Sequence, residues 1–213
     1  MNKVIRLAFL VIALKFLLAS LSFAYAKNIL VFGDSLSAAY RMDLEQGWVN
    51  LLDEYLSSNV DASFKVSNAS ISGETTRGGL ARINVTLEEF QPDIVLLELG
   101  ANDGLQGYPI DLITANLEGM IDQVETYGAQ IVLLGISIPP SYGPRYVDQF
   151  RNIFPTIARQ RNLPFIDLYK EEFYLKPGYI QRDGLHPTEI TQPIIRDALV
   201  DFLNEQNLLK SDN

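Results

Sequence analysis

Apolar residues fall into two alternating patterns along the chain. Short unbroken runs at 28–32 (NILVF), 63–66, 94–99 (IVLLEL), 131–136 (IVLLGI) and around Phe165 and Ile166 read as strands, the richest of them as strands buried on both faces. Between these runs the apolar residues recur at helical spacing. Trp48, Leu51, Leu52, Tyr55 and Leu56 predict a helix over 47–56, and Leu80, Ile83, Leu87 and Phe90 predict another over 76–90. Further helices are expected at about 112–127, 146–161 and from after Pro187 to about 203, with a polar tail at 204–213 that frays. Five βα units in succession imply an α/β fold with a five-stranded parallel sheet and helices on both faces. No linker, fixed-period repeat or low-complexity run interrupts residues 27–213, so they form one domain.

The strand ends are polar where the strands are not. They read GDS (33–35), NASISGE (68–74), GAND (100–103) and SIPP (137–140). In open parallel sheets ligands bind outside the carboxyl ends of the strands, so these four segments are expected to share one crevice.

Residues 1–26 have a different pattern. Lys3 and Arg6 precede an apolar stretch from 7 to 23, and Ala24-Tyr25-Ala26 matches an A-x-A cleavage site. The segment is read as a cleaved signal peptide, which makes the protein exported, periplasmic or secreted. A retained membrane anchor is the rival reading. It is disfavoured because a spanning helix wants about 20 apolar residues, and Lys15 at its centre would cost roughly 2.5–3.5 kcal/mol.

Composition narrows the chemistry. The 213 residues are 47% hydrophobic and 20% charged, with no cysteine and one histidine. Thiol catalysis, thiolate metal sites and multi-histidine metal sites are therefore excluded, and no metal or cofactor is expected. Net charge is −9, and loss of the leader's three cations would make it −12. Nucleic acid is not an expected partner for so acidic a chain.

Two segments far apart in sequence carry complementary chemistry. Ser35 follows the first strand in GDSLS, where a glycine turn would expose it at the top of the sheet; a helix-capping serine is the plainer reading. A serine hydroxyl needs an adjacent base to act as nucleophile. His186, in DGLHP, is the only conventional base present, and Asp183 three residues earlier is near enough in a turn to fix its tautomer. Asn102 is a candidate side-chain donor to an oxyanion, and Gly73 a candidate backbone donor. Asp34 is read as structural. Leu105, Tyr108, Ile136, Ile138, Pro139 and Tyr142 are candidates for an apolar acyl groove.

Taken in order, GDSLS, SGETT, GAND and DGLHP resemble the four blocks of the SGNH, or GDSL, hydrolase superfamily, with Ser35, Gly73, Asn102 and His186 at its four naming positions. Within it the chain is similar to the periplasmic multifunctional thioesterase I / lysophospholipase / arylesterase group, through stretches at 29–42, 68–83, 98–108 and 174–187. The resemblance implies a three-layer α/β/α flavodoxin-like sandwich. It also implies a Ser35–His186–Asp183 triad and an oxyanion hole of the Ser35 and Gly73 N–H groups with the Asn102 amide. The implied substrates are small-molecule esters and thioesters (aryl esters, lysophospholipids, acyl-CoA), with membrane contact only through a lipid substrate and the enzyme a monomer. Ser137 departs from the group's pattern, which often has an arginine there, so acyl-chain and thioester preference does not carry over. A carbohydrate acetylesterase, a peptidase and a non-catalytic binding domain on the same fold stay open as alternatives.

Overall fold

The computed structural model describes residues 27–169 and 175–210. The expected leader at 1–26 lies outside the described residues, as do 170–174 and 211–213. Five strands, β1 (Lys27–Gly33), β2 (Phe64–Asn68), β3 (Ile94–Glu98), β4 (Gln130–Ile136) and β5 (Phe165–Tyr169), form one sheet in the order β2-β1-β3-β4-β5. Every pairing is parallel, with Val31 opposite Asn68 on one side and Leu96 on the other. The apolar runs are the reason: all five residues of β3 are buried, and β1 is buried from Ile29 to Gly33. Only a sheet covered on both faces accommodates such runs.

The helices that cover it are α1 (Trp48–Asn59), α2 (Thr76–Phe90), α3 (Ala101–Leu105), α4 (Ile110–Tyr127), α5 (Pro144–Arg161) and α6 (Gln192–Glu205). From β1 the chain steps outward to β2, then crosses back over β1 to β3 and continues in that direction. Right-handed crossovers therefore put α1 on the opposite face from α2, α4 and α5. The packing agrees: α1 contacts α6, α2 contacts α4, and α4 contacts α5. The reversal of direction falls between β1 and β3, and the chains leaving those two strands diverge to form a crevice at their carboxyl ends.

Two expectations change. The short helix α3 occupies residues where no helix is expected from sequence. The tail does not fray over 204–210: α6 continues to Glu205, Leu208 and Leu209 are buried, and the Lys27 ammonium donates to the Lys210 carbonyl. Those two leucines supply apolar surface whose burial outweighs the cost of ordering a polar segment.

Candidate active site

Ser35 sits in a tight turn directly after β1. Gly33 ends that strand because nothing larger fits: a Cβ there would lie 2.7 Å from Glu98 Oε2 and 2.9 Å from the Glu98 carbonyl oxygen. The turn is pinned from beneath. The Leu36 carbonyl accepts hydrogen bonds from the Trp48 indole at 3.2 Å and the Tyr169 hydroxyl at 3.1 Å, both buried. The Leu36 N–H donates to Asp34 Oδ1 at 3.0 Å.

His186 comes from a loop that folds back on itself. Ile180 and Pro187 form an antiparallel bridge, and the Gln181 N–H donates to the His186 carbonyl at 2.7 Å. This hairpin-like loop carries the imidazole to the end of β1, where Nε2 lies 2.8 Å from Ser35 Oγ. On the other side of the ring Nδ1 lies 2.9 Å from Asp183 Oδ2. Asp183 is held in turn, its Oδ1 accepting from the N–H groups of Leu185 and His186 at 3.0 and 3.1 Å. Partial burial opposes the charge on Asp183. The two N–H donors and the imidazole outweigh it and keep the carboxyl below its ordinary range. Three side chains from positions 35, 183 and 186 thus form one hydrogen-bonded line, with the geometry a base-activated serine requires.

The remaining segments close around that line. Gly73, at φ +83°, adopts a backbone conformation that side chains disfavour, and it lines the cavity beside Ser72. Among the described residues the N–H groups of Ser35 and Gly73 have no protein acceptor. Asn102, in α3, faces the same space, but its amide is engaged: Nδ2 donates to Asp34 Oδ2 at 3.0 Å and to the Glu74 carbonyl at 2.9 Å. An oxyanion would have to draw Asn102 away from one of these acceptors or share it.

The cavity in front of Ser35 has a volume of about 320 Å³. Of the six residues expected to form an acyl groove, Leu105, Ile138 and Pro139 line it. The other three do not. Ile136 ends β4 and is fully buried in the core. Tyr108 packs on the core, its N–H donating to the Asp103 carbonyl at 3.0 Å and its own carbonyl accepting from the Tyr146 hydroxyl at 2.7 Å. Tyr142 lies on a single 3-10 turn (Pro140–Tyr142) and is exposed. Their places are taken by Leu36, Tyr40, Ala101, Leu185 and Ser137. Leu36, Ala101 and Leu185 lie within GDSLS, GAND and DGLHP themselves and Ser137 opens the SIPP strand end, so reading every residue of those segments would have found them; of the five, Tyr40 alone lies outside. Ser137 is buried, and a serine at this position leaves room that a longer side chain would fill.

A family model described as "GDSL-like Lipase/Acylhydrolase family" matches residues 31–192. An arylesterase of Vibrio mimicus is 45% identical over 179 residues, covering 84% of this chain and 88% of its own. A protein of Escherichia coli strain K12 named thioesterase 1/protease 1/lysophospholipase L1 is 40% identical over 190 residues, covering 89% of this chain and 88% of its own. Among solved structures, the psychrotrophic esterase EstA from Pseudoalteromonas sp., inhibited by monoethylphosphonate, superposes with a TM-score of 0.80 at 39% identity. That match covers 84% of this chain and 98% of EstA.

Proposed function

The chain belongs to the GDSL-like lipase/acylhydrolase family, and on that premise we propose that it hydrolyses carboxylic esters and thioesters through an acyl-enzyme formed on Ser35. One observation carries the assignment of residues: the 2.8 Å contact between His186 Nε2 and Ser35 Oγ, with Asp183 behind the imidazole. In this reading Ser35 Oγ attacks the acyl carbonyl while His186 takes its proton. The carbonyl oxygen becomes an oxyanion and is met by the N–H groups of Ser35 and Gly73. As charge develops, Asn102 turns part of its donation from Asp34 or Glu74 toward it. The carbon–oxygen or carbon–sulfur bond then breaks, the leaving group takes the proton from His186, and water attacks the acyl-enzyme by the same route.

The preferred acyl groups are short to medium in length. A cavity of about 320 Å³ stands at the small end of the roughly 300–1,000 Å³ range of ligand pockets. Its apolar wall of Leu36, Leu105, Ile138 and Pro139 favours an acyl chain over a sugar, which argues against a carbohydrate acetylesterase. Export is part of the same proposal, and it rests on the charge, apolar and A-x-A pattern of residues 1–26.

A matched series of p-nitrophenyl esters and acyl-CoAs, from acetyl to palmitoyl, tests the reading, with Ser35→Ala as the blank. The expected profile rises beyond acetyl and falls again for the longest chains, and Ser35→Ala loses about four or more orders of magnitude in kcat while keeping its Tm. Activity confined to acetyl groups would instead favour the carbohydrate esterase. Substantial turnover by the Ser35→Ala protein would remove Ser35 from the mechanism.

A further inference from the structure

Tyr40 lines the cavity, and its ring lies against the imidazole of His186, with centroids 4.2 Å apart and planes inclined by 31°. The contact is built, not incidental. Tyr40 is flanked by Ala39 at φ +53° and Arg41 at φ +58°, two side-chain-bearing residues in the left-handed region. Such backbone persists only where its surroundings enforce it, and it collects at functional sites. Ala39 is buried against Gly47, where an added Cβ would come within 2.8 Å of the Ala39 Cβ. The Tyr40 carbonyl accepts from Gln181 Nε2 at 3.0 Å, and the same nitrogen donates to the Pro187 carbonyl at 2.9 Å. One amide therefore ties the segment carrying Tyr40 to the loop carrying His186.

We propose that Tyr40 is a positioning residue, one that braces the face of His186 and favours the imidazolium formed while His186 holds the serine proton. This rests on the assignment of His186 as the base. The bonds to Ser35 and Asp183 both lie along the ring's own nitrogens and leave tilting of its plane weakly restrained. A second ring packed against its face restrains that tilt. The electron-rich face of an aromatic ring attracts a cation more strongly than a neutral ring, so the contact strengthens as the proton moves and lowers the barrier, not merely the ground state. The other groups around the imidazole are the Asp183 carboxylate, which favours the cation, the neutral Ser35 hydroxyl and the apolar Leu185. The Arg41 guanidinium, 5.1 Å from the Tyr40 centroid, opposes the cation.

The test compares Tyr40→Leu with Tyr40→Phe in the full chain, with Ser35→Ala and His186→Ala alongside and Tm recorded for each. Tyr40→Leu keeps bulk but loses the aromatic face. Its kcat is expected to fall about five- to tenfold with little change in KM. Tyr40→Phe restores the parent kcat. The proposal is overturned if Tyr40→Leu keeps the parent kcat, if only KM rises, or if Tyr40→Phe is as impaired as Tyr40→Leu. Activity retained by His186→Ala would bring down the base assignment itself, and this role with it, and that result is read independently of the Tyr40 variants.

Discussion

Two fully buried carboxyl groups meet beneath the nucleophile turn. Glu98 Oε2 accepts from the Ser37 hydroxyl at 2.7 Å and from the Asp34 N–H at 3.3 Å. Burial pushes the Asp34 carboxyl up to about 7, although the Leu36 N–H and Asn102 amide pull the other way. Burial and then the nearness of Asp34 push Glu98 well above its ordinary value. The folded protein therefore holds protons that the unfolded chain has already released above pH 4. Stability from Asp34 is present in acid and is lost as pH rises from about 4 through 7, and Glu98 acts in the same direction. Glu98→Gln keeps an acceptor for Ser37 and removes one charge, so its Tm should exceed the parent's at pH 8 by more than at pH 5. An equal difference at both values would contradict the account. Asp34 was legible in sequence as a structural residue of the GDS motif. Glu98 was visible only as an odd carboxylate inside IVLLEL, because its partner stands 64 positions earlier.

At the scale of elements, pattern succeeded where it had length to act on. Helix α2 spans the residues that spacing predicts, and α5 runs through Pro155 despite the roughly 3 kcal/mol a mid-helix proline costs. Val147, Phe150, Ile153, Phe154 and Ile157 explain it: they bury one continuous face, with the two phenyl rings edge to face at 5.6 Å. Helix α3 was missed because five residues, ANDGL, give no periodicity and favour turns. Its anchor is also tertiary. Asp103 accepts from the Thr76 N–H at 2.8 Å and the Thr76 hydroxyl at 2.6 Å, and Asn116 donates to that hydroxyl at 3.0 Å. A buried carboxylate at the start of α2 thus locks α3, and with it Asn102, to the rest of the domain. Asp103→Ala strands those donors and should cost about 3 kcal/mol, a fall in Tm of roughly 6–12 °C, with a lower kcat as Asn102 loosens. Thermal melts and steady-state kinetics check both, and an unchanged Tm would show that α3 is held by other contacts.

At the scale of the molecule, the alternation of strands and helices was enough for a parallel sheet, and the polar strand ends were enough to place a crevice. The line of motifs along the chain could not supply distances. Residues 35 and 186 are 151 positions apart, and they meet because β1 lies in mid-sheet while the loop before α6 returns to its carboxyl end. The acyl wall was half legible: Ile138 and Pro139 come straight after β4 and Leu105 ends the short helix after β3, whereas Tyr40 depends on two left-handed residues that no periodicity announces. The central claim is that this topology makes Ser35 reactive through His186. Labelling of the full chain with a fluorophosphonate, with peptide mapping and a rate for each variant, measures it directly. One equivalent should attach to Ser35, and His186→Ala should slow the reaction by about a hundredfold or more. A label on another residue, or a rate indifferent to loss of the histidine, would contradict the account.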